Sequence, residues 1–326
     1  MKRDTFFKYF FALFVSVVII YFLLTKVDIK SIFSFLIKMD LKYLCLAFFV
    51  YYLGIIFRVI RFSYLLQNKI PFFTLHKISI YHNFFTSVLP SATGELSYIY
   101  MVNKTGKVTI SKNISSLFIA RIFDFVSFFI IMLFGYLYLK NELPANITSL
   151  FLIIVFLLAI ISICMTILVL DIFNVRFLGF IKKIIKALKL DKIKYIRILT
   201  VKFEKFVKTE SNLDKKVIFF SIVVSFLVWI AATLSNYYIF LATGIEFSII
   251  KILFAIALLK FMSLLPIQGL AGFGTSEGLW ALIFVQLGLS LENSILTGFA
   301  AHLVSLLFIC MLALFIFAFN FFSSKN

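Results

Sequence analysis

Acidic residues, cysteine, proline and tryptophan are all scarce in this 326-residue chain, which has 14 Asp/Glu against 32 Lys/Arg, three Cys, four Pro and two Trp. Charged residues make up only 14% and hydrophobic ones 63%, which excludes a water-soluble globule for want of polar surface. Three cysteines exclude a disulfide scaffold. Cys45, Cys164 and Cys310 fall within apolar runs and read as small buried hydrophobes. His76, His82 and His302 lie far apart, and no H-E-x-x-H spacing occurs, so neither a metal nor another cofactor is expected. A G-x-x-x-x-G-K-[ST] loop is also missing, which argues against ATP hydrolysis. The net charge of +18 would point to nucleic acid in a soluble protein. In a chain this apolar the anionic membrane surface accounts for it, and no nucleic-acid partner is expected.

What is present in abundance is long apolar sequence. The runs exceed the alternating segments of about 10 residues that a membrane barrel shows, so the fold class is an all-α polytopic membrane protein. Spans near the required length of about 20 residues read at about 7–25, 43–66, 114–139, 147–170, 217–243 and 294–320. The first follows a basic start but lacks a small-x-small cleavage site, so it reads as an uncleaved span. Two further segments, 72–100 and 247–288, are apolar but interrupted by Pro, Gly and Glu.

Basic residues give the topology. With the N-terminus inside and both interrupted segments returning to the side they enter, the external face collects only Lys26, Lys30, Lys38, Lys42 and Lys140. The run of Lys and Arg from Arg176 to Lys216 then lies in the cytoplasm, as do both termini. Within it, FLGFIKKIIKALKL has helical apolar spacing and reads as a helix on the inner leaflet or a solvated linker. The expectation is six full spans plus two re-entrant broken-helix hairpins in an inverted repeat. A single integral membrane domain, 1–326, divides into a first half of about 1–145, a cytoplasmic basic loop at 171–216 and a second half of about 217–326.

The hairpins share a pattern: VLPSATGELSYIY and LLPIQGLAGFGTSEGLW both run Leu-Pro, small residues, Gly, then Glu at the start of an apolar stretch. Four of the twelve glycines and Pro266 fall in the second, while Pro90 breaks the first. Acids at membrane depth are costly and mark sites, which singles out Glu95, Asp124 and Glu277. Asp124 has Arg121 three residues earlier on the same helix face. Ser91, Thr93, Thr275 and Ser276 are candidate caps, and each restarted helix would direct its N–H groups and positive dipole end at an anion. Gly94, Gly272 and Gly274 would let the backbone come close to that ligand. Alternatively, Glu277 caps its own helix and the glycines serve packing. Asn83, Asn236, Gln268 and His302 read as interhelical hydrogen-bonding groups, with Asn83 the one most suited to a ligand. Arg58 and Arg61, three apart at the end of the second span, either grip a lipid phosphate or anchor the helix at the cytoplasmic surface.

Taken in order, RVIRFSYLL, NFFTSVLPSATGELSY, ARIFDF and LPIQGLAGFGTSEG resemble the signatures of the flippase-like family named for the transmembrane region of lysylphosphatidylglycerol synthase, from about Leu41 to Phe319. The resemblance implies a bacterial or archaeal inner-membrane protein that moves a lipid with a polar or phosphate-bearing headgroup between leaflets. Substrates would be anionic phospholipid or prenyl-phosphate lipid, with proton or cation coupling through Glu95 and Glu277, and with self-association or a glycosyltransferase as partner. It also implies functional roles for Arg58, Arg61, Asn83, Pro90, Gly94, Glu95, Arg121, Asp124, Gly272, Gly274 and Glu277. Members often carry arginine where this chain has Tyr98. Aminoacyl-transferring members continue into a soluble domain, whereas this chain ends at Asn326, so transport rather than enzymatic transfer is expected. An integral-membrane enzyme acting on a lipid phosphate and a secondary transporter of a small solute are the alternatives.

Overall fold

The computed structural model describes residues 16–89, 91–142, 215–262 and 270–323, with a few helical residues between 152 and 160. The span expected at 147–170, the basic loop 171–216, Gln268 and both Pro90 and Pro266 lie outside the described residues or largely so. Every regular element described is helical.

Helix α1 covers residues 16–24, followed by α2 (Ile29–Ile37), α3 (Leu41–Leu65), α4 (Phe72–Val88), α5 (Ser91–Lys104) and α6 (Ile110–Leu139). After the undescribed stretch come α7 (Lys215–Ala242), α8 (Ile249–Met262), α9 (Thr275–Gln286) and α10 (Leu291–Ser323). Four of these, α3, α6, α7 and α10, are apolar enough to cross a membrane, with hydropathy of 2.1 to 2.6. At about 1.5 Å per residue even the 25-residue α3 spans more than the roughly 30 Å hydrocarbon core. The protein is membrane-embedded.

Helix α2 was not anticipated. Asp28 caps it, accepting from the Ser31 N–H at 2.6 Å, and Ile32 turns into a small core with Leu23, Val27, Ile295 and Phe299. Exposed Phe33 and Ile37 share the helix with Lys30, whereas the sequence reading treated this stretch only as charged loop.

Helices α3 and α7 form the most extensive helix pair. Asp40 N–H donates to Ala242 O at 2.8 Å, Ser235 Oγ to Ala47 O at 2.9 Å, and Arg61 to Ser225 Oγ at 2.8 Å. Contacts that descend along one helix as they climb the other make the pair antiparallel. Gly54 meets the Cβ of Ala231 midway, the small-on-small approach expected where lipid gives no hydrophobic drive.

Each interrupted segment is a pair of short helices. Along α4 and α5, Thr86 lies against Gly94 and His82 against Tyr98, which makes them an antiparallel hairpin. A Cβ on Gly94 would sit 2.5 Å from the Thr86 Cα, so the glycine lets the two helices close on each other. The sequence reading had reserved that space for a ligand. The second segment runs α8, then the turn Leu270–Gly272, then α9.

Candidate functional site

Six of the anticipated site residues meet in one cluster, built from four consecutive elements of the first half and closed by α7. Asp124, 2% exposed, is its centre. One carboxylate oxygen accepts from Arg61 at 2.6 Å and from the indole of Trp229 at 2.9 Å, and the other from Arg121 at 3.2 Å. The local pair Arg121–Asp124 therefore exists, but the closest cation on Asp124 is Arg61, 63 residues away in sequence. Arg121 also donates to Glu95, and Arg58 to the side-chain oxygen of Asn83.

Arg61 corrects an expectation. It is 3% exposed and held by Asp124 and Ser225, so it belongs to the protein core and is neither a surface anchor nor a free phosphate grip. A cation placed there without partners would cost several kcal/mol, and the network supplies them. Arg58 differs: among the described residues it forms no ion pair, and its guanidinium lies 5.9 Å from the Trp229 ring centre, in cation–π contact. Arg58 and Asn83 border a cavity of about 50 Å³ between α3, α4 and α7, room for little more than water. At the outer edge Arg121 and Glu95 keep 38% and 29% of their side chains exposed.

The sequence reading missed several partners. Ser225 and Trp229, four residues apart, are the α7 groups that reach the cluster and stand out on a largely apolar helix, a signal that was available. His82 stands 3.8 Å from the second Glu95 oxygen. Tyr98 is fully buried and packs against Phe62. Glu95 lies in the second turn of α5, away from the helix start. The dipole-end role anticipated for it gives way to pairing with Arg121.

Glu277 occupies a separate site. It is fully buried, and Oε2 accepts the Gly274 N–H at 2.8 Å, so the glutamate caps its own helix. Gly274 is the N-cap, and Thr275 and Ser276 lie within the helix, contrary to the expected Ser/Thr cap. Oε1 lies 2.6 Å from Nδ1 of His302 on α10, whose Nε2 donates to Ala271 O at 3.1 Å. Ala271, Gly272 and Gly274 all have left-handed backbones, at φ of 51°, 78° and 80°. The glycines adopt this at no steric cost, whereas Ala271 holds it under strain of about 1–3 kcal/mol, braced by His302. A Cβ on Gly274 would lie 2.6 Å from Ser16 O, so this position is filled by α1.

Beside this turn is a largely apolar cavity of about 660 Å³. Its walls come from α1, α7, α8, α9 and α10, with Leu23, Leu279 and Leu282 among the apolar residues and Asn236, Lys260, Thr275, Ser276 and His302 among the polar ones. Among the described residues no group of His, Cys, Asp and Glu is arranged to hold a metal.

The family model for the lysylphosphatidylglycerol synthase TM region matches residues 9–313. This chain belongs to that family. No curated protein and no solved structure matches it. Membership in the lysylphosphatidylglycerol synthase TM region family agrees with the resemblance drawn from the sequence and suggests a membrane protein related to lipid handling.

Proposed function

We propose that this protein moves a lipid with an anionic or polar headgroup between leaflets of a bacterial or archaeal inner membrane, without ATP hydrolysis and without altering the lipid. The observation that carries the reading is Arg58. Its neighbours Arg61 and Arg121 are paired with Asp124 and Glu95, whereas Arg58, held by Asn83 and the Trp229 ring, forms no ion pair among the described residues. A guanidinium with no ion pair among the described residues suits a phosphate-bearing headgroup. Lipid tails would stay in hydrocarbon or use the apolar walls of the larger cavity.

On this reading α4–α5 and α8–α9 act as re-entrant hairpins of an inverted repeat. It is supported by their short helices, of 17, 14, 14 and 12 residues, since a helix of 17 reaches only about 26 Å. The deciding assay is leaflet exchange of fluorescent phospholipid and prenyl-phosphate probes in proteoliposomes, with probe chemistry followed in parallel. Arg58→Ala should abolish exchange of anionic probes, and the probes should emerge unchanged. Exchange unaffected by Arg58→Ala, or turnover of the lipid phosphate, would defeat the proposal.

A further inference from the structure

The Glu277–His302 contact fixes a proton count. A carbonyl oxygen only accepts, so the contact with Ala271 O requires a proton on His302 Nε2. With that proton in place a neutral ring has a bare lone pair at Nδ1, and an ionised carboxylate has another at Oε1. Two lone pairs do not rest 2.6 Å apart, so a proton lies between them, on either the ring or the carboxyl. Oε2 is already engaged by Gly274 N–H. The pair as it stands holds one shared proton and is electrically neutral.

We infer that Glu277 and His302 form a proton-binding site that latches α10 to the Ala271–Gly274 turn, and that a proton is the coupling ion of the transport proposed above. The role in transport rests on that proposal, but the latch does not. When the shared proton leaves to water, the one proton left on the ring is drawn to Nδ1 by the Glu277 carboxylate, so Nε2 faces Ala271 O as a second acceptor and that contact opens. His302 then withdraws its support from Ala271, whose left-handed backbone has no glycine's freedom. Thr275, Ser276 and His302 all line the large cavity, so the opened turn reshapes its wall. The protonated form is closed and the deprotonated form open.

The surrounding groups favour this step over gain of a second proton. Lys260 on α8 shares the cavity, and a cation there opposes further positive charge. On α4, which packs against the turn and against α10, His76 is engaged with Tyr52, Lys77 with Asn320 and His82 with Glu95. Tyr21 of α1 and Lys30 of α2 are exposed, α7 contributes the uncharged Asn236, and the Phe273 ring lies 4.7 Å from His302.

The test is hydrogen–deuterium exchange of amides 270–276 in the purified protein, corrected for the intrinsic pH dependence of exchange. Wild type should lose protection as pH rises. Glu277→Gln places a permanent N–H donor opposite Nδ1 and should remain protected throughout, whereas His302→Ala should be unprotected throughout. Protection of α3 and α7 amides verifies folding of each variant. Wild-type protection that does not change with pH, or a Glu277→Gln curve that follows wild type, would overturn the latch. A working latch in a protein that exchanges no lipid would defeat only the proposed function, and lipid exchange without a pH-dependent latch would defeat only this inference.

Discussion

Replacing Asp124 by Ala tests the charge network most directly. At 2.6 Å and an effective dielectric near 20, the Arg61–Asp124 attraction is about 6 kcal/mol before desolvation is counted. Desolvation of two ions, each costing several kcal/mol, consumes most of that gain, so the intact pair contributes little net stability. Removing only the carboxylate is different: Arg61, 3% exposed, stays buried without its counter-charge, and the Trp229 N–H loses its acceptor. The expected loss is about 3–5 kcal/mol. Asp124→Asn keeps an acceptor for Arg61 and the Trp229 N–H but not for Arg121, and should cost about 2 kcal/mol, the worth of a hydrogen bond's charge assistance. Arg61→Met combined with Asp124→Leu should recover part of the loss, because Arg61 is then no longer buried without its counter-charge and Arg121 retains Glu95, while the Trp229 N–H still lacks its acceptor. The assay is reversible unfolding in mixed detergent micelles, followed by circular dichroism. A cost for Asp124→Ala below about 1 kcal/mol, the value of an exposed ion pair, would refute the buried network.

Gly94→Val should destabilise the α4–α5 hairpin by about 1–3 kcal/mol through overpacking against Thr86, measured in the same unfolding assay; a neutral result would mean the helices do not approach this closely. Gly272→Ala should cost about 1–2 kcal/mol, because a residue with a Cβ must then hold φ of 78°. At the start of α2, hydrogen bonds from Ser31 hold the Asp28 carboxyl below its ordinary value of 3.8. A lowered folded value makes this cap's contribution complete above 3.8 and lost as pH falls through the depressed value. Exchange of the α2 amides should accelerate only below that range, and Asp28→Asn should remove the dependence.

The broken segments were legible because Pro, Gly and Glu inside apolar sequence are each costly, and α4–α5 and α8–α9 fall where 72–100 and 247–288 were drawn. Glu95, Asp124 and Glu277 were legible for the same reason. Helix α2 was passed over because lysines were read for topology while Ile29, Ile32 and Leu36, spaced for a helix, were not read for amphipathicity. Arg61 was read as either a phosphate grip or a surface anchor because its place at a helix end fits both, and nothing nearby in sequence discloses Asp124 or Ser225.

The sequence alone therefore determined the solvent, the helical class and the family, since each segment's transfer into hydrocarbon depends on its own residues. It also determined which charges needed an explanation. Which charge neutralises which was decided only by the tertiary structure: Arg61 with Asp124, Arg121 with Glu95, His302 with Glu277, and Arg58 with no carboxylate among the described residues. These pairs join residues 25 to 63 positions apart, and a few ångströms between side chains, set by how helices pack, separate a buried ion pair from an unmatched cation.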